Sequence, residues 1–255
     1  MSHIKGNQAC IKTRIRKLVQ QNAWLRPVAT FTLSVIYTTK TLWSRLSRQA
    51  VVARYLREHE KRGLHLGCGA NLHEGWLNTD LVISLPGAMY LDAAKQFPLP
   101  NESMDQVFSE HMIEHINHPE ALFMLRECFR VLKPGGRIRI ATPNLDVVLK
   151  LYAPEASQDV EEYMQWFNER NMKGFGGTGP AAVINCFFYS WGHRFIYDRV
   201  NLESSFREAG FTDLEWCAVG QSAKPELRNL ERHGAALGSE RWNAFETMIL
   251  EGRKP

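Results

Sequence analysis

The chain reads as an α/β protein built on a doubly wound, mostly parallel sheet, and three observations predict it. A short apolar strand, Leu64 to Leu66, runs straight into a glycine pair, Gly67-Cys68-Gly69. A second apolar piece, Trp76 to Thr79, ends in the carboxylate of Asp80. Beyond it, strand-like and helix-like stretches alternate, as parallel strands covered by helices on both faces require.

The opening stretch sets the expectation for function. Glycines directly after a strand let the backbone turn sharply and approach a ligand closely. A carboxylate at the end of the next strand can accept two hydrogen bonds from ribose hydroxyls. Together they predict a nucleoside-binding crevice at the carboxyl ends of the strands. The full G-x-G-x-x-G dinucleotide pattern is not met, because Ala70, Asn71 and Leu72 follow Gly69. Gly67 and Asp80 also lie too close in sequence for a crossover helix between them. A ligand without a pyrophosphate fits better than a dinucleotide.

Further along, Met89 to Leu91 reads as a strand ending at Asp92, and Asp105 to Ser109 as the next one. A helix is predicted over residues 119–132, with Ala121, Leu122, Leu125, Cys128, Phe129 and Leu132 on one stripe. Pro119 suits its first turn, and Lys133-Pro134-Gly135-Gly136 ends it. Arg137 to Thr142 alternates as a strand. Later come a helix containing Leu202, Phe206 and Ala209, a strand from Leu214 to Val219, a short polar helix over 225–233 and a last strand over 244–251.

These residues carry a resemblance. LHLGCG, the aspartate closing the second strand, LD…FPLPNESMDQVFSEHMIEHI and RVLKPGGRIRIATPN resemble the class I S-adenosylmethionine-dependent methyltransferases over roughly residues 62–146. The resemblance implies a Rossmann-like sheet of about seven strands whose last two form an antiparallel pair. It implies S-adenosyl-L-methionine as cofactor, held by Gly67, Cys68, Gly69, Asn71, Asp80, Leu81, Asp92, Ala93, Ser109 and Glu110. Asp80 would take the ribose hydroxyls, Asp92 the adenine amine, and Ala93 would supply a backbone amide. The family's acidic residue two places before the first glycine is His65 here, and its third glycine is Asn71. A sulfonium nucleoside needs no phosphate cradle, so the missing glycine counts against a dinucleotide more than against this cofactor.

Residues 146–200 are rich in aromatics, including Tyr163, Trp166, Phe167, Phe187 and Trp191, around a glycine-rich hinge at 174–180. Placed after the fifth strand, they predict a cap over the acceptor site. The domain division expected is an arm and helix over 1–61 and a methyltransferase domain over 62–255, with the cap at 146–200. His193, in WGHRF, is the first candidate for a general base, followed by His115 and His111. His111-Met112-Ile113-Glu114-His115 also spells H-x-x-E-H, an inverted zinc-peptidase motif, with Glu161 or Glu162 as a conceivable third ligand. Its position directly after a strand disfavours that reading, and no metal ligand is assigned.

Charge adds a further expectation. The net charge of +4 conceals nine bases and no acid in residues 1–50, against 22 bases and 27 acids, or −5, in the rest. Such an arm suits either a solvated basic extension that covers one edge of the sheet or attraction to an anionic membrane surface. It lacks the aromatic–basic interleaving of a nucleic-acid surface, which makes that partner the weaker reading. No stretch has the length of apolar sequence that a spanning helix needs. Five scattered cysteines without a C-x-x-C indicate a reducing, cytoplasmic location, peripheral to a membrane where the arm engages one. The acceptor expected is a small molecule or glycan. The competing readings are a non-catalytic nucleoside-binding protein of the same fold and an RNA methyltransferase.

Overall fold

The structure is a computed structural model that describes residues 25–83, 85–152, 157–172 and 177–255, with side chains at Thr39 and from residue 42 onward. Residues 1–24 of the basic arm and residues 173–176 of the hinge lie outside it.

Seven strands form one sheet: β1 (Gly63–Leu66), β2 (Trp76–Asp80), β3 (Met89–Tyr90), β4 (Met104–Glu110), β5 (Leu132–Pro143), β6 (Thr212–Cys217) and β7 (Thr247–Arg253). Their order is β3-β2-β1-β4-β5-β7-β6. β1 to β5 run parallel, and β7 lies antiparallel to both β5 and β6. This is the expected Rossmann-like architecture with its antiparallel last pair. The order reverses between β1 and β4, and ligands bind outside the carboxyl ends of strands at such a switch point.

Alternation along the strands explains the two faces. Leu64 and Leu66 of β1 pack with Val107, Ile138 and Ile140 in the main apolar core. The opposite face carries a row that crosses the sheet in register: Asn78, His65, Phe108, Arg139 and Glu251. His65 is therefore committed to this row. Its Nδ1 lies 3.1 Å from Asn78 Oδ1, and its ring packs on His73 and Phe108. Burial and the neighbouring His73 lower its pKa to about 4, so the imidazole is neutral at pH 7.

The first helix, α1 (Leu25–Glu58), lies within the stretch expected as arm and helix. It protects the exposed edge of the sheet. Ser44 Oγ accepts from the Tyr90 amide at 2.8 Å, and the Arg45 guanidinium lies over the Tyr90 ring. Tyr55 Oη accepts from the Gly63 amide at 3.0 Å and lies 3.0 Å from the carbonyls of both Gly63 and Gly75, to one of which it can donate. Among the described residues no helix is long and apolar enough to cross a membrane.

α2 (His118–Val131) begins at a reciprocal capping box. The Asn117 side chain accepts from the Glu120 amide, and Glu120 accepts from the Asn117 amide. The cap region contains α3 (Leu145–Lys150), α4 (Gln158–Asn171) and α5 (Pro180–Tyr189), with a core of its own around Tyr163, Phe167, Phe187 and Trp242. α6 (Arg199–Glu208) is capped by Asp198. The single polar helix expected over 225–233 is instead a 3₁₀ turn at Pro225–Leu227, followed by α7 (His233–Leu237) and α8 (Glu240–Glu246). The last strand accordingly starts at Thr247, not at residue 244.

Candidate active site

A cavity of about 410 Å³ opens at the carboxyl ends of β1, β4 and β5. Gly67, Cys68, Gly69 and Asn71 form one wall, and Phe167, Phe187 and Trp191 of the cap form another. Glu110, Glu114, His115, His193 and His233 lie between them.

The glycine wall is shaped by backbone conformation. Gly67 and Gly69 have φ of +67° and +51°, which a side chain rarely tolerates. A Cβ on Gly67 would fall 2.4 Å from Met112 Cγ, so the loop can sit this close to the turn after β4 only as glycine. A Cβ on Gly69 would enter open space, which leaves room there for a ligand. The Asp80 carboxylate holds the loop, accepting from the amides of Gly69 and Val82, both at 2.8 Å. Burial and the Asp80 charge push the Cys68 thiol up to about 12, so Cys68 is a neutral packing group and not a nucleophile.

Of the residues expected to hold a cofactor, Gly67, Cys68, Gly69, Asn71 and Glu110 line this cavity, whereas Asp80, Leu81, Asp92, Ala93 and Ser109 do not. Asp80 lies behind the loop it braces. Asp92 opens onto a separate recess with Arg45, Tyr90 and Lys95, and its carboxylate pairs with Lys95 at 3.2 Å. Leu81 is exposed beyond β2, and Ser109 is fully buried within β4. Glu110 has a structural task as well: it accepts from the amides of Arg232 and His233 and so anchors the start of α7.

The H-x-x-E-H stretch is not a helix. His111 takes a left-handed φ of +46°, and Ile113–His115 is a single 3₁₀ turn. The two histidines therefore part. The His111 ring stacks on His233 at 3.7 Å, and its Nε2 lies 3.0 Å from Thr247 Oγ1. His115 faces the cap, edge-on to His193 with ring centres 4.9 Å apart. Glu162 sits away from both, 2.6 Å from Arg241.

Glu114 lies between these pairs. It is fully buried, and its Oε2 accepts from Thr142 Oγ1 at 3.0 Å. Its Oε1 approaches His111 Nδ1 at 3.3 Å, near enough for an ion pair but too poorly aligned for a hydrogen bond. Burial alone would push Glu114 up and His111 down. Their mutual attraction outweighs it in both, holding Glu114 below and His111 above its ordinary value.

His193 is held from two sides. Its Nδ1 donates to the Phe187 carbonyl at 2.6 Å, which leaves the Nε2 lone pair free. The amides of Arg194 and Phe195 donate to the Glu114 carbonyl at 2.7 and 3.2 Å, tying the cap to the turn that carries Glu114 and His115. Burial lowers the His193 pKa below 6.5 and keeps the ring neutral.

Sequence reasoning had not assigned a site role to Glu114, Arg170, His233 or Glu246. Glu114 stood within a recognisable motif; the other three carry no local signal and reach the cavity only through the packing of α4, α7 and α8.

Comparison with known proteins bears on the family. Residues 64–140 match the family model described as a methyltransferase domain. The stretch from β1 to β5 thus matches a methyltransferase domain. A probable S-adenosylmethionine-dependent methyltransferase of Mycolicibacterium smegmatis is 47% identical over 49 residues, 19% of this chain and 18% of that protein. Another from Mycobacterium tuberculosis is 28% identical over 143 residues, 56% of this chain and 39% of that protein. The chain thus spans well under half the length of the curated relatives it matches. A crystal structure of a SAM-dependent methyltransferase from Archaeoglobus fulgidus aligns with a TM-score of 0.47 at 17% identity, over 82% of this chain and 94% of that one. The curated relatives are named as S-adenosylmethionine-dependent.

Proposed function

We propose that this methyltransferase domain moves a methyl group from S-adenosylmethionine to an oxygen or nitrogen of a small-molecule or glycan acceptor seated against the aromatic cap. One observation supports this most: a single cavity is lined by the glycine loop on one side and by His115, His193 and three aromatic rings on the other. The cofactor brings an electrophilic methyl group on a sulfonium. Gly67 and Gly69 would lie along it, and Asp80 would keep their loop in shape through the Gly69 amide. Phe167, Phe187 and Trp191 exclude water and offer flat surfaces to a ring or to the apolar face of a sugar. Arg170 offers a cationic partner on the same wall.

The proton at the acceptor falls to His193. Its Nδ1 is spent on Phe187, so Nε2 is the atom that can take a proton, and burial keeps it unprotonated at neutral pH. For a hydroxyl acceptor, His193→Ala should lower kcat by about 10²-fold or more, with S-adenosylhomocysteine affinity unchanged. The acid limb of the rate profile should lie below pH 6.5. The first experiment is a methyl-release assay over pooled metabolites, polysaccharides and RNA, with calorimetric titration of S-adenosylmethionine. Binding with no transfer to any pool would leave a nucleoside-binding protein. Transfer confined to RNA would move the acceptor to nucleic acid.

A further inference from the structure

We infer that Glu114, His115 and His193 form a binding site for a first-row divalent metal ion at the acceptor end of the cavity. Among the described residues, one ligand atom from each of these three side chains lies within 4.8 Å of the other two. Two imidazoles and one carboxylate are a donor set suited to zinc, iron, cobalt or manganese, and less to magnesium or calcium, which prefer oxygen alone.

Three independent features of the cluster point to a ligand. First, Glu114 is fully buried, and among the described residues its Oε1 meets only His111 Nδ1, at 3.3 Å and without a hydrogen bond. A buried carboxylate oxygen with one poorly aligned partner is incompletely compensated, and a metal ion beside it would complete its coordination. Second, both anchored ligands are oriented as metal ligands are. The remaining oxygen of Glu114 is fixed by Thr142 Oγ1, and the far nitrogen of His193 by the Phe187 carbonyl. Such outer contacts set the tautomer and leave His193 Nε2 as the nitrogen available to a metal. Third, the backbone is arranged around the cluster. The Glu114 carbonyl accepts the amides of Arg194 and Phe195, so the element bearing His193 is fastened to the turn bearing the other two ligands. His111, one residue after β4, adopts a strained left-handed conformation that lets the chain turn there.

A first-row ion with ligands at about 2.0–2.1 Å places neighbouring ligand atoms roughly 3.3 Å apart. The cluster needs to contract by no more than about 1.5 Å, which small side-chain rotations can supply. Three protein ligands leave at least one position open, as in catalytic rather than structural sites. Because Glu114, His115 and His193 all line the cavity, that position faces the acceptor. Its role rests on the methyl-transfer reading and deepens it: the ion selects an acceptor that offers an oxygen donor, such as a hydroxyl or phenol, over a carbon or an aliphatic chain. The ion also takes the Nε2 lone pair of His193, so the metal-loaded and metal-free forms handle the acceptor's proton differently.

The test uses the full chain, stripped with a chelator and titrated with Co²⁺, while ligand-field absorption reports coordination by nitrogen and oxygen; equilibrium dialysis with Zn²⁺ gives stoichiometry. One ion per chain is expected. His115→Ala and His193→Ala should each weaken Co²⁺ binding at least 10-fold, and Glu114→Gln should do so while preserving side-chain shape. His118→Ala, whose imidazole contacts Ser205 on α6, is the control and should bind as the parent does. Thermal unfolding verifies that each variant is folded. His115 makes no hydrogen bond through its ring, so its variant is the one least exposed to misfolding. Absence of Co²⁺ bands in the parent, or equal affinity in folded His115→Ala, overturns the site. Titration with S-adenosylhomocysteine separates the two readings. Metal binding without cofactor binding would remove methyl transfer and leave the metal site; cofactor binding without metal binding would do the reverse.

Discussion

Two clusters of titratable groups, each built on a buried carboxylate, stand in this fold, and they are finished differently. On β5, the fully buried Arg139 reaches Glu231 at 2.6 Å and Glu251 at 2.5 Å, and also donates to the carbonyls of Gln221 and Ala218. The second oxygen of each carboxylate is used as well, by the Gly220 amide and by Ser222 Oγ. Beyond β4, among the described residues, the cluster of Glu114, His115 and His193 keeps a carboxylate oxygen met only by His111 without a hydrogen bond, an imidazole without a hydrogen bond and a His193 Nε2 without a partner. The first cluster is closed and binds β5, β7 and the 218–231 loop together. The second is open and faces a cavity. A buried polar network that is fully satisfied specifies structure; one left incomplete beside a cavity is where a ligand completes it.

Breaking the closed cluster should have the largest effect. Arg139→Met strands two carboxylates away from water, and removing one partner of a buried ion pair costs about 3–5 kcal/mol. Urea unfolding should show a loss of that size, while S-adenosylhomocysteine affinity of the folded fraction stays at the parent value. A loss below about 1 kcal/mol would mean that water or neighbouring groups compensate, and the contrast between the clusters would fail.

The same face yields a pH test. The folded pKa of His65 is about 4 against an ordinary 6.5, so between these values the unfolded chain binds more protons. Stability is therefore complete above pH 6.5, declines as pH falls through the window and is lost below about 4. The difference amounts to about 3 kcal/mol. Acids elsewhere titrate over the same range, so the quantity to measure is parent minus His65→Gln, by denaturant unfolding at several pH values. If the two proteins follow parallel curves, the imidazole is not held neutral by the fold.

The contrast also explains what the sequence could reveal. The glycine loop, Asp80 and the central strands are written locally, as apolar runs ending in residues with special backbone or charge. His65 was visible as a departure from the family pattern, but its use in the row with Asn78, Phe108 and Arg139 depends on strand register. The H-x-x-E-H stretch was visible too, and misleading. A helix would have set His111 and His115 one turn apart on one side, whereas the left-handed residue at 111 sends them to different partners. His193 stood out through its aromatic surroundings. That it meets Glu114 follows from two backbone hydrogen bonds between segments about eighty residues apart, for which no local pattern exists. α7 and α8 were missed because each is too short to show a helical period, and they hold together by packing on α4 and the end of β5.

The smallest expected effect tests the principle from the exposed side. Asn117 stands two residues after His115 and caps α2, so it sets where the turn bearing Glu114 and His115 gives way to helix. Asn117→Ala removes one half of the capping box, yet leaves behind only an exposed helix amide that water can serve. The cost should be about 1 kcal/mol, and Asn117→Ser, which restores an oxygen acceptor, should recover most of it. Thermal or urea unfolding of the three proteins gives the comparison. A loss in Asn117→Ala approaching that of Arg139→Met would show that the cap holds more than its helix, and that the open cluster depends on it. A loss shared equally by the serine variant would assign the effect to packing. The size of each change follows from what the substitution strands: two carboxylates at Arg139, a protonatable ring at His65 and a solvated amide here.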